Sequence, residues 1–174
     1  YLAESVAQVD RLAAMVNDVL RSGSVAEQAL RQEKRLRIDK LVAEVIDDYV
    51  LLAKTRGMTF AVDAHPTTIR VNRDMIRHVI SNLVSNAVRH GDAGSVIKIT
   101  CDQHELAIEN ACKPLTKQQL QHIFDPFYRT SDGAKQHADS SGIGLYTVKM
   151  LLDAKGLNYE FVPVGRGMRF IVKL

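Results

Sequence analysis

The segment RDMIRHVISNLVSNAVRH, residues 73–90, constrains this chain more than any other stretch. Met75, Ile76, Val79, Ile80, Leu83, Val84, Ala87 and Val88 recur at helical spacing and form one long apolar stripe. Asn72 stands where an N-cap belongs, and Gly91 follows as a stop. Such a helix must bury its stripe against other elements. A second line, His78, Asn82, Asn86 and Arg89 with His90 beside it, shares a neighbouring face. Two asparagines in mid-helix cost helix propensity, and their amides need partners if buried. A solvated outer face accounts for them. So does the wall of a polyanion site, where amide oxygens bind a hard cation and the arginine a phosphate. Spacing alone leaves the two readings level.

Around this helix, strand and helix patterns are interleaved. LRID is a short strand candidate, with Asp39 placed as the N-cap of a helix reaching Gly57. MTFAVD and TTIRV read as strands, while SVIKITC and HELAIEN flank Asp102-Gln103 as a hairpin. A Thr116/Gln119 capping box opens TKQQLQHIF, which stops before Pro126. A helix from about residue 144 to 155 ends at Gly156, and NYEFVPV and MRFIVKL flank the turn Gly165-Arg166-Gly167. These elements predict an α+β fold, a two-layer sandwich of a mixed sheet packed on helices.

The chain's 174 residues, 46% of them hydrophobic, suit one ordinary domain, or a domain with a small appendage, and exclude wholesale disorder. The appendage lies at the start. Leu2, Val6, Val9, Ala13, Val16 and Leu20 follow a coiled-coil or bundle spacing, and a charge-rich stretch from Ser22 to Arg37 follows. Residues 1–31 are therefore expected to be a partner-binding helix and 32–174 a separate domain. No apolar run approaches the ~18 residues of a membrane span, and the opening residues lack the pattern of a signal peptide. A net charge of +3 gives no reason to expect nucleic acid as a partner. Two cysteines in unrelated surroundings exclude a disulfide scaffold and fit a reducing compartment.

At SSGIGLYTV, a Gly-x-Gly pair opens a helix directly after the polar stretch 127–141, which reads as a mobile, lid-like loop. Glycines let a ligand approach the backbone, and a new helix offers unpaired N–H groups to phosphate. The motif is neither a P-loop nor a Rossmann fingerprint, since it lacks both the Gly-Lys-Ser/Thr and a strand leading into it.

Taken together, SNLVSNAVRH, IFDPFYR, SSGIGLYTV and GRGMRF resemble, in this order, the N-box, the F-box, the second glycine box and the final glycine motif of the ATP-binding domain of bacterial sensor histidine kinases, a superfamily shared with gyrase-type ATPases. The opening helix ending in VDRLAAMVNDVL resembles the second helix of that family's dimerisation and phosphotransfer hairpin. The resemblance implies ATP and Mg²⁺ as cofactors, with Asn86 as the Mg²⁺ ligand, Arg89 and Arg129 at the phosphates, and His90 beside the adenosine. Ser141, Gly142, Ile143, Gly144 and Leu145 would form the glycine-box part of the nucleotide site, with Gly142 and Gly144 as hinge and cradle. Asn82 falls where related ATPases place a catalytic Glu. An amide cannot deprotonate water, so bound ATP should survive until a histidine attacks it.

Three departures stand out. Asn110 takes the position of the family's adenine-binding Asp, with Cys112 and Pro114 at the glycines that follow and Leu115 at the apolar wall. Met168 replaces a Thr, and Ser140 replaces the first glycine of the second box. The phosphate and metal end is thus expected to be intact and base recognition altered. None of the six histidines has the surroundings of a phosphoacceptor, which is expected upstream of Tyr1. The resemblance further implies a cytoplasmic domain of a membrane receptor, a homodimer in the full-length protein, a phosphoacceptor hairpin in the same or paired chain, and a response regulator as partner. The alternatives are a nucleotide-binding but catalytically silent regulator and a gyrase-like ATPase, the latter disfavoured by Asn82.

Overall fold

A computed structural model describes residues 31–130 and 142–174. The helix expected over residues 1–31, Ser141 and most of the polar loop fall outside them. Two sheets are present among the described residues. Strands β1 (Lys34–Arg37) and β3 (Thr68–Val71) pair antiparallel as a small separate ribbon. The larger sheet holds β2 (Thr59–Ala64), β4 (Val96–Cys101), β5 (Glu105–Ala111), β6 (Tyr159–Val164) and β7 (Gly167–Lys173), in the order β2-β4-β5-β7-β6. β2 runs parallel to β4, and every other neighbour is antiparallel, so the sheet is mixed as expected. β2 and β6 are its edges, and β6 carries Pro163 opposite Met168.

Helices α1 (Ile38–Thr55), α2 (Arg73–His90) and α4 (Gly144–Lys155) cover one face, and a short α3 (Lys117–His122) follows β5. Alternation in β4 shows why. Ile97, Ile99 and Cys101 are buried, while Val96 and Lys98 face out. They join Leu106 and Ile108 of β5, Phe170 and Val172 of β7 and the buried stripes of the three long helices in one core. All eight apolar positions read from the α2 sequence lie in it.

Local signals mostly acted as their chemistry requires. Asn72 Oδ1 accepts from the N–H groups of Asp74 and Met75 at 2.9 and 3.0 Å. Both bonds of the Thr116/Gln119 capping box form. Asp102 Oδ1 closes the β4–β5 hairpin by accepting from the N–H groups of His104 and Glu105. Gly156 ends α4 at φ +74, a left-handed conformation that favours glycine.

One assignment is corrected. The strand lies at 34–37 rather than 36–39, and α1 begins at Ile38 with Arg37 as a cap lacking a side-chain bond. Ile38 is fully buried with Leu41, Val42, Val45 and Ile46, so the helical stripe claims it. Asp39 is thus not the N-cap but a first-turn residue. Its carboxylate accepts two bonds from Arg37, at 2.7 and 2.5 Å, and one from the Thr67 N–H at 3.1 Å. Hydrogen bonding to Arg37, with help from Thr67, holds the Asp39 carboxyl well below the usual carboxylate range.

Candidate functional site

With α2's apolar stripe spent on the core, its adjacent face borders a cavity of about 460 Å³. Asn82, Ser85, Asn86, Arg89 and His90 form this wall. Asn82, Ser85 and Asn86 are partly buried, whereas Arg89 and His90 are exposed. The polar line is therefore a cavity wall rather than a solvated face. His78 leaves it: the ring is exposed, and Nδ1 lies 2.9 Å from the Asp74 carbonyl oxygen.

One end of the cavity is formed where α4 begins. Gly144 sits directly against the Asn82 amide, because a Cβ built there would lie 3.4 Å from Asn82 Oδ1. Gly142 adopts φ +72 beside the backbone of Phe127 and Tyr128, and its carbonyl accepts from the Phe127 N–H at 3.2 Å. Only glycine meets both demands at low cost. α4 has neither a side-chain cap nor an acidic residue in its first turn, which leaves its first N–H groups and dipole available to an anion. Leu145, Arg129 and Thr130 complete this end. Ile143 does not line the cavity; it is 2% exposed and serves as the backbone N-cap of α4.

The other end is built on β5 and β7. Asn110, 8% exposed, pairs across the strands with Met168, itself buried. Asn110 Nδ2 lies 3.5 Å from the Ala111 carbonyl, at the limit of a hydrogen bond, and the Asn110 side chain also faces the Cys112 thiol. Gly167 permits this packing, because a Cβ there would lie 2.3 Å from the Asn110 carbonyl oxygen. Gly91 brings the end of α2 against the same spot. Its φ of −69 is ordinary, but a Cβ would lie 2.6 Å from both the Ala87 carbonyl oxygen and the Met58 methyl. Leu115, Ile123 and Phe161 give this end apolar surface. Cys112 also lines it, and burial pushes its thiol up, with the nearby Asp92 carboxylate adding to the effect.

Several residues in the site or supporting it had no local signal in the sequence. Arg56 donates from Nη1 to the carbonyls of Val88 and Arg89 and from Nη2 to that of Gly91 at 2.9 Å, satisfying the end of α2. Lys113, Tyr128 and Asp92 also line the cavity. Among the described lining residues, Arg89, Lys113 and Arg129 outnumber one carboxylate, Asp92, so the field favours a polyanion. No cluster of three or more His, Cys, Asp or Glu suited to a metal exists among the described residues. The hard donors on the wall are the Asn82 and Asn86 amides. One amide oxygen fits Mg²⁺, which keeps waters and binds phosphate oxygens instead of filling a protein cage.

The sequence model for histidine kinase-, DNA gyrase B-, and HSP90-like ATPases matches residues 71–174, which contain every described residue of this cavity's wall. Sensor histidine protein kinase HK06 of Streptococcus pneumoniae is 31% identical over 177 residues, covering 100% of this chain and 39% of its own length. The chain thus spans about two fifths of that relative. Among solved structures, full-length ShkA in complex with AMPPNP aligns at TM-score 0.77 and 22% identity, covering 94% of this chain and 35% of that one. ThkA in complex with the response regulator TrrA aligns at TM-score 0.72 and 20% identity, covering 97% and 48%. At these identities the structures attest the fold. By sequence match, fold and cavity, the chain belongs to the family of histidine kinase-, DNA gyrase B-, and HSP90-like ATPases.

Proposed function

We propose that this chain is the ATP-binding domain of a sensor histidine kinase, which holds Mg²⁺-ATP and presents its γ-phosphate to a histidine elsewhere in the parent protein. The observation that carries the reading is the meeting of α2's amide and arginine line with the uncapped start of α4 at the Asn82–Gly144 contact. Asn86 would hold the Mg²⁺, with Arg89 and Arg129 at the phosphates. Gly142 and Gly144 would let the chain of phosphates approach the α4 N–H groups. His90 would border the nucleoside, and Leu115 and Met168 the base. A bound Mg²⁺ supplies charge neutralisation at the phosphate oxygens.

Asn82 stands against Gly144, and a carboxamide there cannot take a proton from water. Hydrolysis should therefore be negligible, and the phosphate reserved for a nucleophile that brings its own base. Residues 1–31 would supply the second helix of the phosphoacceptor hairpin, and residues 32–174 the nucleotide domain. The pneumococcal relative and the ThkA–TrrA complex support a two-component setting with a response regulator downstream. The reading further makes this a cytoplasmic domain of a homodimeric receptor in the cell membrane. The described residues contain no helix long and apolar enough to cross a membrane.

Calorimetry and phosphate release test this together. Mg²⁺-ATP should bind at micromolar to millimolar concentration with no appreciable turnover, and phosphate should pass to an added hairpin bearing the upstream histidine. Absence of nucleotide binding at millimolar concentration would refute the reading. Binding without transfer would support the second reading, a silent nucleotide-binding regulator, which the neutral Asn110 and Met168 favour.

A further inference from the structure

The base end of the cavity pairs buried apolar surface with one carboxylate that has no side-chain partner among the described residues. Asp92 follows directly on Gly91, so it sits at the mouth of the slot formed by Asn110, Cys112 and Met168. Its backbone is fixed on both sides. The Asp92 N–H donates to the Ala111 carbonyl at 2.8 Å, and its own carbonyl accepts from the Ser95 hydroxyl at 2.6 Å. The side chain, exposed at the cavity's rim, forms no ion pair and no hydrogen bond among the described residues. The other charged residues of the described lining, Arg89, Lys113 and Arg129, are cationic. The carboxylate also adds to the upward shift of the Cys112 thiol, which places its charge close to this slot.

Asn110, nine-tenths buried on the same wall, has an amide held weakly, by the Ala111 carbonyl at the distance limit and by the soft Cys112 thiol. A flat, mostly apolar slot with an amide on its wall and a held, unpaired carboxylate at its rim suits a heteroaromatic ring bearing an exocyclic amino group. The ring faces would meet apolar side chains, the amide would donate to a ring nitrogen, and the carboxylate would accept from the amino group. Along α2 the distance from Asn82 to Gly91 is about 13 Å, so this rim lies well away from the phosphate end.

We propose that Asp92 is the specificity-determining acceptor for the 6-amino group of the purine, acting beside the neutral Asn110. The proposal rests on the nucleotide-binding reading above and names the residue that chooses the base.

The test measures Mg²⁺-dependent affinity of the whole chain for ATP and for purine riboside triphosphate, which lacks only the 6-amino group. The parent should prefer ATP by about five- to tenfold, the range for one charge-assisted hydrogen bond at a partly wet site. In Asp92→Ala the preference should fall below twofold, and Asp92→Glu should restore part of it. The ratio cancels any uniform gain from removing a negative charge near the triphosphate. Preservation of the parent ratio in Asp92→Ala would overturn the proposal. So would its collapse in Asn110→Ala alone, or a selective loss of preference for ATP over 2′-deoxy-ATP, which would put Asp92 on the ribose. A parent that binds both triphosphates equally overturns this inference only. A parent that binds neither overturns the nucleotide reading as well.

Discussion

Arg56 lies one residue beyond α1 yet secures the end of α2, and removing it should couple stability to the site. Arg56→Ala deletes three donated bonds, to the carbonyls of Val88, Arg89 and Gly91. Two of them share Nη1, so they amount to about two independent charge-assisted bonds. At the low end of the range for charged donors, about 1.5 kcal/mol each, the gross loss is ~3 kcal/mol. Water can reach carbonyls at a helix end and recover part of this, while loss of a cation near the C-terminal dipole adds about 0.5 kcal/mol. The net cost should be about 2 kcal/mol. For a domain of this size that corresponds to a fall in Tm of roughly 4–8 °C. Urea denaturation followed by circular dichroism gives the first figure, and a thermal melt checks the second. Arg56→Lys keeps the charge but not the fork, and should recover less than half. Because Arg89, His90 and Asp92 flank the carbonyls that Arg56 holds, nucleotide affinity should fall several-fold as well. A stability loss below about 0.5 kcal/mol would refute the claim that Arg56 satisfies this helix end.

Three further perturbations follow from the geometry. Asn86→Ala should abolish the Mg²⁺-dependent part of ATP affinity without unfolding the chain, since Ala is the better helix former; equal strengthening by Mg²⁺ in mutant and parent would contradict it. Gly167→Ala puts a Cβ 2.3 Å from the Asn110 carbonyl oxygen, so β5 and β7 must separate locally. The cost should be about 1–3 kcal/mol by chemical denaturation, with weaker base recognition, and unchanged stability would show the contact to be soft. Asp39 has a folded-state pKa below its unfolded value, so the native state binds fewer protons. Its stabilisation is complete above pH ~4 and is lost as pH falls from there, and Asp39→Asn should flatten that acid branch of the stability curve.

Much of this architecture could be read directly because its causes are local. The α2 stripe, the Asn72 cap, the Thr116/Gln119 box and the Asp102 turn each depend on residues within one or two turns of chain. The same locality explains the error at Asp39. The residue has good N-cap chemistry, but Ile38 was already claimed by the core, and Arg37 and Thr67 offered the carboxylate better partners. Long-range contacts left no trace. Arg56 meets carbonyls 32 to 35 residues away, and neither Gly91 nor Gly167 has a positive φ to mark it, since what each needs is space. In the site, the glycine pair and the α2 line were legible as motifs. Asp92 was not, although its place next to His90-Gly91 could have drawn notice.

The edges of the large sheet have a consequence for how the chain behaves when damaged. An edge strand offers unpaired N–H and C=O groups to any neighbouring chain that can extend it. β6 carries Pro163, which cannot donate, so that border is a poor template for an added strand. β2, TFAVDA, has no proline and leaves Val62 48% exposed, with the Asp63 charge as its chief deterrent. Association of heated or partly unfolded molecules should therefore begin at β2. Val62→Lys should slow aggregation on heating, whereas Val164→Lys on β6 should not, and the reverse order would show that the proline border is the weaker one. Crowding in a cell would press on the same side, so one face of this small domain carries most of the hazard that the other has shed.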